Sequence, residues 1–275
     1  MGSEMCIRDS LNREGAAPLA ADLAIIASTP REKVIELMAT MPGIDAFFGT
    51  GVEADMMNSS MNEMYWQQGG LGMGDRDYYL EDSEHAKTVR EAYKNYLLTV
   101  AKLAGYSEAD AKRLVNNTME IETALAKDAM SREELRDPAA SYNPMTIAEL
   151  ATRYPSVDLR RYFSLQGIND IDRLIVGQPK SLAAVDSIIA NASEQALRDY
   201  LAAGYISSAA SFLGDDFINA NFDFAKVRSG IKQMQPRWKR ALSVPNGMLG
   251  EALGQLYVEK YFPATSKEKM VTLVE

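Results

Sequence analysis

The chain has 275 residues, 47% of them hydrophobic and 24% charged, with a formal net charge of −9. That composition supports a packed globular core and excludes disordered, collagen-like and low-complexity classes. The acidic balance argues against nonspecific nucleic-acid binding. One cysteine, Cys6, and one histidine, His85, leave no internal disulfide and remove most metal and nucleophile–base constellations.

In chain order, Ser3-Glu4-Met5-Cys6-Ile7-Arg8-Asp9-Ser10 resembles a translated sequencing-adapter tract, so residues 1–10 are set aside from fold reasoning as a tag would be. They lack the charged, apolar and small-residue order of a signal peptide. Leu19, Leu23 and Ile26 follow Pro18 at helical spacing. Thr29-Pro30-Arg31-Glu32 reads as a capping box with proline in the first turn, opening a helix with Val34, Leu37, Met38 and Met41 on its apolar face. Between residues 46 and 68 the pattern changes. Phe47–Glu53 and Asn62–Gln67, separated by polar residues including Asn58-Ser59-Ser60, predict a small β-hairpin.

Gly69-Gly70-Leu71-Gly72-Met73-Gly74 lacks the spacing of a nucleotide loop and reads as an irregular loop needing positive φ or close backbone approach. Asp75-Arg76-Asp77-Tyr78-Tyr79 reads as an ion-paired anchor whose tyrosines pack inward. Val89, Tyr93, Tyr96, Leu97, Val100 and Leu103 then mark a helix of about 20 residues, roughly 30 Å long, ending before Gly105. His85 falls in its first turn as a solvated side chain. Ser107 opens another helix, with Leu114, Val115, Met119, Glu122 and Leu125 running towards Met130. Thr146-Ile147-Ala148-Glu149 forms a second capping box before Pro155.

Arg173–Val176 reads as a lone extended segment, and further helices are expected from Ser181, Ser193, about Phe222 and Gly247. Arg237 and Arg240 share a helix face and suit neighbouring carboxylates while Trp238 buries. Gly250 and Gly254 suggest a close helix contact. The last residues read as a helix without a stop signal, so the sequence looks incomplete at both ends. No apolar run approaches the roughly 18 residues of a membrane span. No repeat or linker divides the chain, so the expectation is one mainly α, multi-helix domain with a small β excursion near residues 46–68. Sequons at Asn58, Asn116 and Asn191 carry no inference, and no catalytic, cofactor-binding or metal-ligating residue is assigned.

Four ordered motifs nevertheless resemble one family, the neprilysin-like zinc metallopeptidases that include bacterial oligopeptidase O. They are Gln68–Leu80, with Gly74 where the family usually has proline; Glu134–Pro138 followed by Tyr142–Thr146; Pro236–Arg240; and Gly250–Val258. The resemblance implies that residues 11–275 form the N-terminal helical domain, which lids a zinc-binding catalytic domain around a peptide-sized cavity. It implies zinc in a full-length parent, with ligands outside this chain and none within it. It further implies oligopeptide substrates, and the C-terminal catalytic domain as partner. A degenerate relative or non-catalytic scaffold module is the competing expectation. The family association points to a periplasmic or extracellular setting; the sequence itself carries no address.

Overall fold

The computed structural model describes residues 9–44 and 46–274. Met1–Arg8 of the adapter-like tract, Cys6 included, lie outside the described residues. Two compact units are present, residues 1–230 and 231–275. In the first, helices α1 (Ala20–Ser28) and α2 (Val34–Thr40) precede strands β1 (Phe48–Asp55) and β2 (Asn58–Gln68). The short helix α3 (Asp77–Leu80) leads into the long pair α4 (Glu84–Leu103) and α5 (Glu108–Asp128). Strand β3 (Pro144–Thr146), α6 (Ile147–Arg153), α7 (Leu159–Leu165) and strand β4 (Arg173–Val176) follow. Helices α8 (Pro179–Asn191), α9 (Glu194–Ala209) and α10 (Asp215–Ser229) complete the unit.

Local chemistry explains several helix starts. Ser83, Ser107 and Ser193 each accept a backbone N–H in the first turn of α4, α5 and α9, and Thr146 and Glu149 form a complete capping box at α6. The mainly α expectation holds, and so does the hairpin. Asn58–Ser60, read as the connection, belong to β2 instead: Asp55 Oδ1 accepts from Met57 N at 2.9 Å, closing the turn at Met56 and Met57.

Four other expectations are corrected. Thr29 does not cap a following helix, because its Oγ1 donates back to Ile25 O at 2.8 Å and the chain enters α2 through a 3₁₀ turn at Arg31–Lys33. Residues 173–176 are not alone: β4 runs parallel to β2, pairing Tyr65 with Ile175, and antiparallel to β3, giving the order β1-β2-β4-β3. The helix expected from Phe222 begins at Asp215, and α8 begins at Pro179 rather than Ser181.

The core lies between the sheet and the helices. Trp66, Leu174 and Val176 of the sheet are buried with Leu97, Leu114, Tyr200 and Ile206 of the helices. Helix α5 packs on α4, α8 and α9, while α10 closes over α4.

The second unit contains α11 (Arg237–Met248), α12 (Gly250–Tyr261) and α13 (Ala264–Val274). The helix expected from Gly247 is thus two helices meeting at Leu249, and the C-terminal helix is present. Trp238, expected to bury, is 57% exposed, with Lys239 Nζ 5.5 Å from its ring centroid. Gly250 and Gly254 have open space where a Cβ would stand, so they serve no close contact within the described residues.

Candidate functional site

Between β2 and α3 the glycine loop, residues 69–74, crosses the first unit and roofs a cleft of about 490 Å³. Tyr93, Tyr96, Glu122, Ser207, Phe224 and Arg228 line the cleft below it. The loop must approach its neighbours closely. A Cβ on Gly70 would collide with the Tyr200 hydroxyl, and one on Gly72 with the Tyr93 hydroxyl. Gly70 and Gly74 also sit at φ +75° and +81°, backbone that side chains resist. The loop glycines therefore answer the two needs read from sequence.

Two polar clamps hold the loop. Tyr200 of α9 accepts from Phe47 N at 2.9 Å and donates to Gly70 O at 2.9 Å, tying together the segments entering β1 and leaving β2. Phe47 is held at φ +54°, an unusual conformation for an aromatic residue. The Gly69 N–H bond to Phe47 O, at 3.2 Å, and the edge-on Tyr200 ring, centred 4.8 Å away, fix it there.

Glu122 of α5 makes the second clamp. Its carboxylate accepts from Tyr79 Oη at 2.6 Å, Tyr93 Oη at 2.8 Å and Gly72 N at 3.3 Å, while only 3% exposed. Burial first, and then the Glu122 charge and hydrogen bonds, push both tyrosine hydroxyls well above their ordinary range. They stay protonated and serve as fixed donors, which is what a buried carboxylate requires.

The Asp-Arg-Asp segment behaves as an anchor. Asp75 pairs with Arg132 and accepts from Asp77 N at 3.0 Å. Arg76 Nη1 donates to Ala129 O at 2.5 Å and stands 3.8 Å from Glu134. Tyr79 is buried, whereas Tyr78 is half-buried against the exposed ring of His85, with centroids 5.8 Å apart. Burial of Asp77 and its carboxylate neighbours raise its pKa.

Gln68, just before the loop, exchanges hydrogen bonds with the Met130 backbone at 2.7 and 3.1 Å and receives Ser181 Oγ at 3.2 Å. The second motif joins the sheet. Asn143 donates to Val176 O at 3.0 Å, and Tyr142 Oη donates to Asp55 Oδ1 at 2.9 Å. Hydrogen bonds from Met57 N and Tyr142, helped by the Arg173 charge, hold Asp55 below its ordinary range. The first two motifs thus meet in one place, while Pro236–Arg240 and Gly250–Val258 lie in the second unit.

Sequence reading placed Glu122 only within an apolar stripe and did not single out Tyr200. A carboxylate between Met119 and Leu125 on the buried face of a helix was the available signal. The cleft holds no nucleophile with a base. Among the described residues no three His, Cys, Asp or Glu side chains converge as metal ligands, and His85 stands apart at the start of α4. The described residues do not fit a zinc centre.

Comparison with known proteins agrees with the four motifs. The model of Peptidase family M13 matches residues 4–275. Endothelin-converting enzyme 1 of Mus musculus is 34% identical over 227 residues, covering 80% of this chain and 29% of the relative. Neutral endopeptidase of Lactobacillus helveticus is 27% identical over 223 residues, covering 81% of this chain and 34% of the relative. The zinc metalloprotease Zmp1 of Mycobacterium tuberculosis, solved with an inhibitor, superposes with TM-score 0.89 at 26% identity, covering 97% of this chain and 41% of that one. The chain thus spans about a third of the length of the curated relatives it matches, all of it within their N-terminal region. By sequence match along nearly its whole length and by fold, this chain belongs to Peptidase family M13, as its N-terminal domain.

Proposed function

We propose that this chain is the substrate-enclosing part of a zinc metalloendopeptidase that hydrolyses oligopeptides, and that residues 11–275 without a catalytic domain have no peptidase activity. The observation that carries the reading is the superposition on a zinc metalloprotease over 97% of this chain but only 41% of the other. The Glu122 and Tyr200 clamps fit this role, since an enclosing domain works by shape and needs its loops fixed.

In the parent, zinc would polarise the scissile carbonyl from a domain other than this one. This chain's contribution is a wall that sets which peptides enter. The chain alone, incubated with zinc and a fluorogenic oligopeptide, is expected to give no chelator-sensitive hydrolysis. A chimera joining it to the catalytic part of Zmp1 at the structurally aligned boundary is expected to cleave the peptide and spare folded protein. Hydrolysis by the chain alone, or a folded, zinc-loaded chimera without activity, overturns the proposal.

A further inference from the structure

The outer edge of the sheet is open. Strand β1 pairs with β2 on one side only and stands at the end of the order β1-β2-β4-β3. The bond from Gly69 N to Phe47 O sets the hydrogen-bonding phase of the hairpin, because antiparallel pairs alternate between bonded and non-bonded. The pairs Gly49 with Gln67, Gly51 with Tyr65 and Glu53 with Glu63 are then the bonded ones, and Thr50 and Val52 turn their backbone groups outward. The other side of β2 agrees. Trp66, opposite Thr50, accepts from Gly177 N at 2.8 Å, and Gln68, opposite Phe48, donates to Gln178 Oε1 at 2.8 Å, both away from β1.

No hydrogen bond engages the backbone of Thr50 or Val52 on that outer side among the described residues. β1 has no proline or lysine, its register shift is confined to the Ala54/Asp55 end, and Gly49 and Gly51 leave open space beside Thr50. Such an edge accepts an extended chain as an added strand. Two further features describe that chain. Val52, Met56, Met57 and Met61 are exposed towards the turn end of the hairpin, and methionine adapts to varied apolar side chains. Glu53 lies opposite Glu63; Arg173 pairs with Glu63, and no cation pairs with Glu53 among the described residues.

We propose that the β1 edge binds an extended, cationic oligopeptide as an additional strand, through the backbone groups of Thr50 and Val52 with Glu53 selecting positive charge. This deepens the peptide-handling reading above and rests on it. Charge favours this occupant over a second copy of the chain, which would bring another Glu53 to the edge on a molecule of net charge −9.

The test uses the 275-residue chain and a fluorescein-labelled, C-terminally amidated heptapeptide of alternating lysine and valine. Its partner probe carries the same residues with N-methyl groups on alternate amides, which keeps the charge and removes strand pairing. Fluorescence polarisation is expected to show at least tenfold weaker binding of the methylated probe. Val52→Pro, which removes an outward N–H but no β1–β2 bond, should weaken the unmodified probe at least tenfold, and Glu53→Lys severalfold. Should Val52→Pro fail to fold, amide exchange of the unmutated chain decides: the probe must slow Thr50 and Val52 while leaving Gly51 unchanged.

Equal binding of the two probes, no binding of either, or protection elsewhere overturns the proposal. So does concentration-dependent self-association through β1, which would give the edge to a second copy. Because no hydrolysis is read, failure here leaves the enclosing-domain proposal standing.

Discussion

Glu122 shows how one side chain fixes a loop. Its carboxylate is almost fully buried and accepts from the hydroxyls of Tyr79 and Tyr93 and from the Gly72 N–H. Removing the acceptor strands the two buried hydroxyls, and each unpaired buried group costs about 1–3 kcal/mol. Glu122→Ala is therefore expected to destabilise the first unit by about 3 kcal/mol or more in urea titrations. Glu122→Gln, which keeps an acceptor oxygen and the volume, should cost less than half as much. If the two variants lose the same stability, the charge itself rather than the acceptor geometry is responsible. If neither loses any, the clamp is not what holds the loop.

At the scale of elements, stability and legibility share a cause. Helix α6 starts where Thr146 accepts from Glu149 N at 3.2 Å and Glu149 accepts from Thr146 N at 2.8 Å. Thr146→Ala should cost about 1 kcal/mol, read as a lowered unfolding midpoint with an unchanged slope, whereas a neutral result would show that packing of Ile147 and Leu150 alone holds the helix. This start was readable because both partners lie within four residues. The start of α10 was not, because Gly214 supplies no side-chain cap. Asp215 N donates instead to Asn12 Oδ1 at 2.8 Å, a residue 203 positions away. One partner of β4 is likewise distant: β2 lies 110 residues before it, and the other, β3, is a strand of three residues, so Arg173–Val176 read as a solitary segment. Tyr200 was silent for the same reason, since its phenol serves a loop 130 residues upstream. The glycine loop was legible as a need for close approach, and what it approaches was not.

Across the whole molecule the two units differ in what covers their apolar surface. Residues 1–230 have a continuous core, whereas no described residue of 231–273 is buried. Met248 and Leu273 are 80% and 79% exposed, and Leu249, Leu256, Tyr257 and Tyr261 are also exposed. Helices of 11 or 12 residues are marginal in water without packing, so α11 to α13 lack what sustains them. Trypsin should therefore cut at Lys232, Arg237, Lys239 or Arg240 well before it cuts within α4 or α5, leaving a resistant core near residue 230. A chain shortened to that core should keep the same cooperative melt, while the longer chain should bind an apolar dye more strongly and aggregate at lower concentration. Equal protection of both units, together with a monodisperse sample and one sharp melt for residues 11–275, would show instead that the second unit finds its cover within this chain.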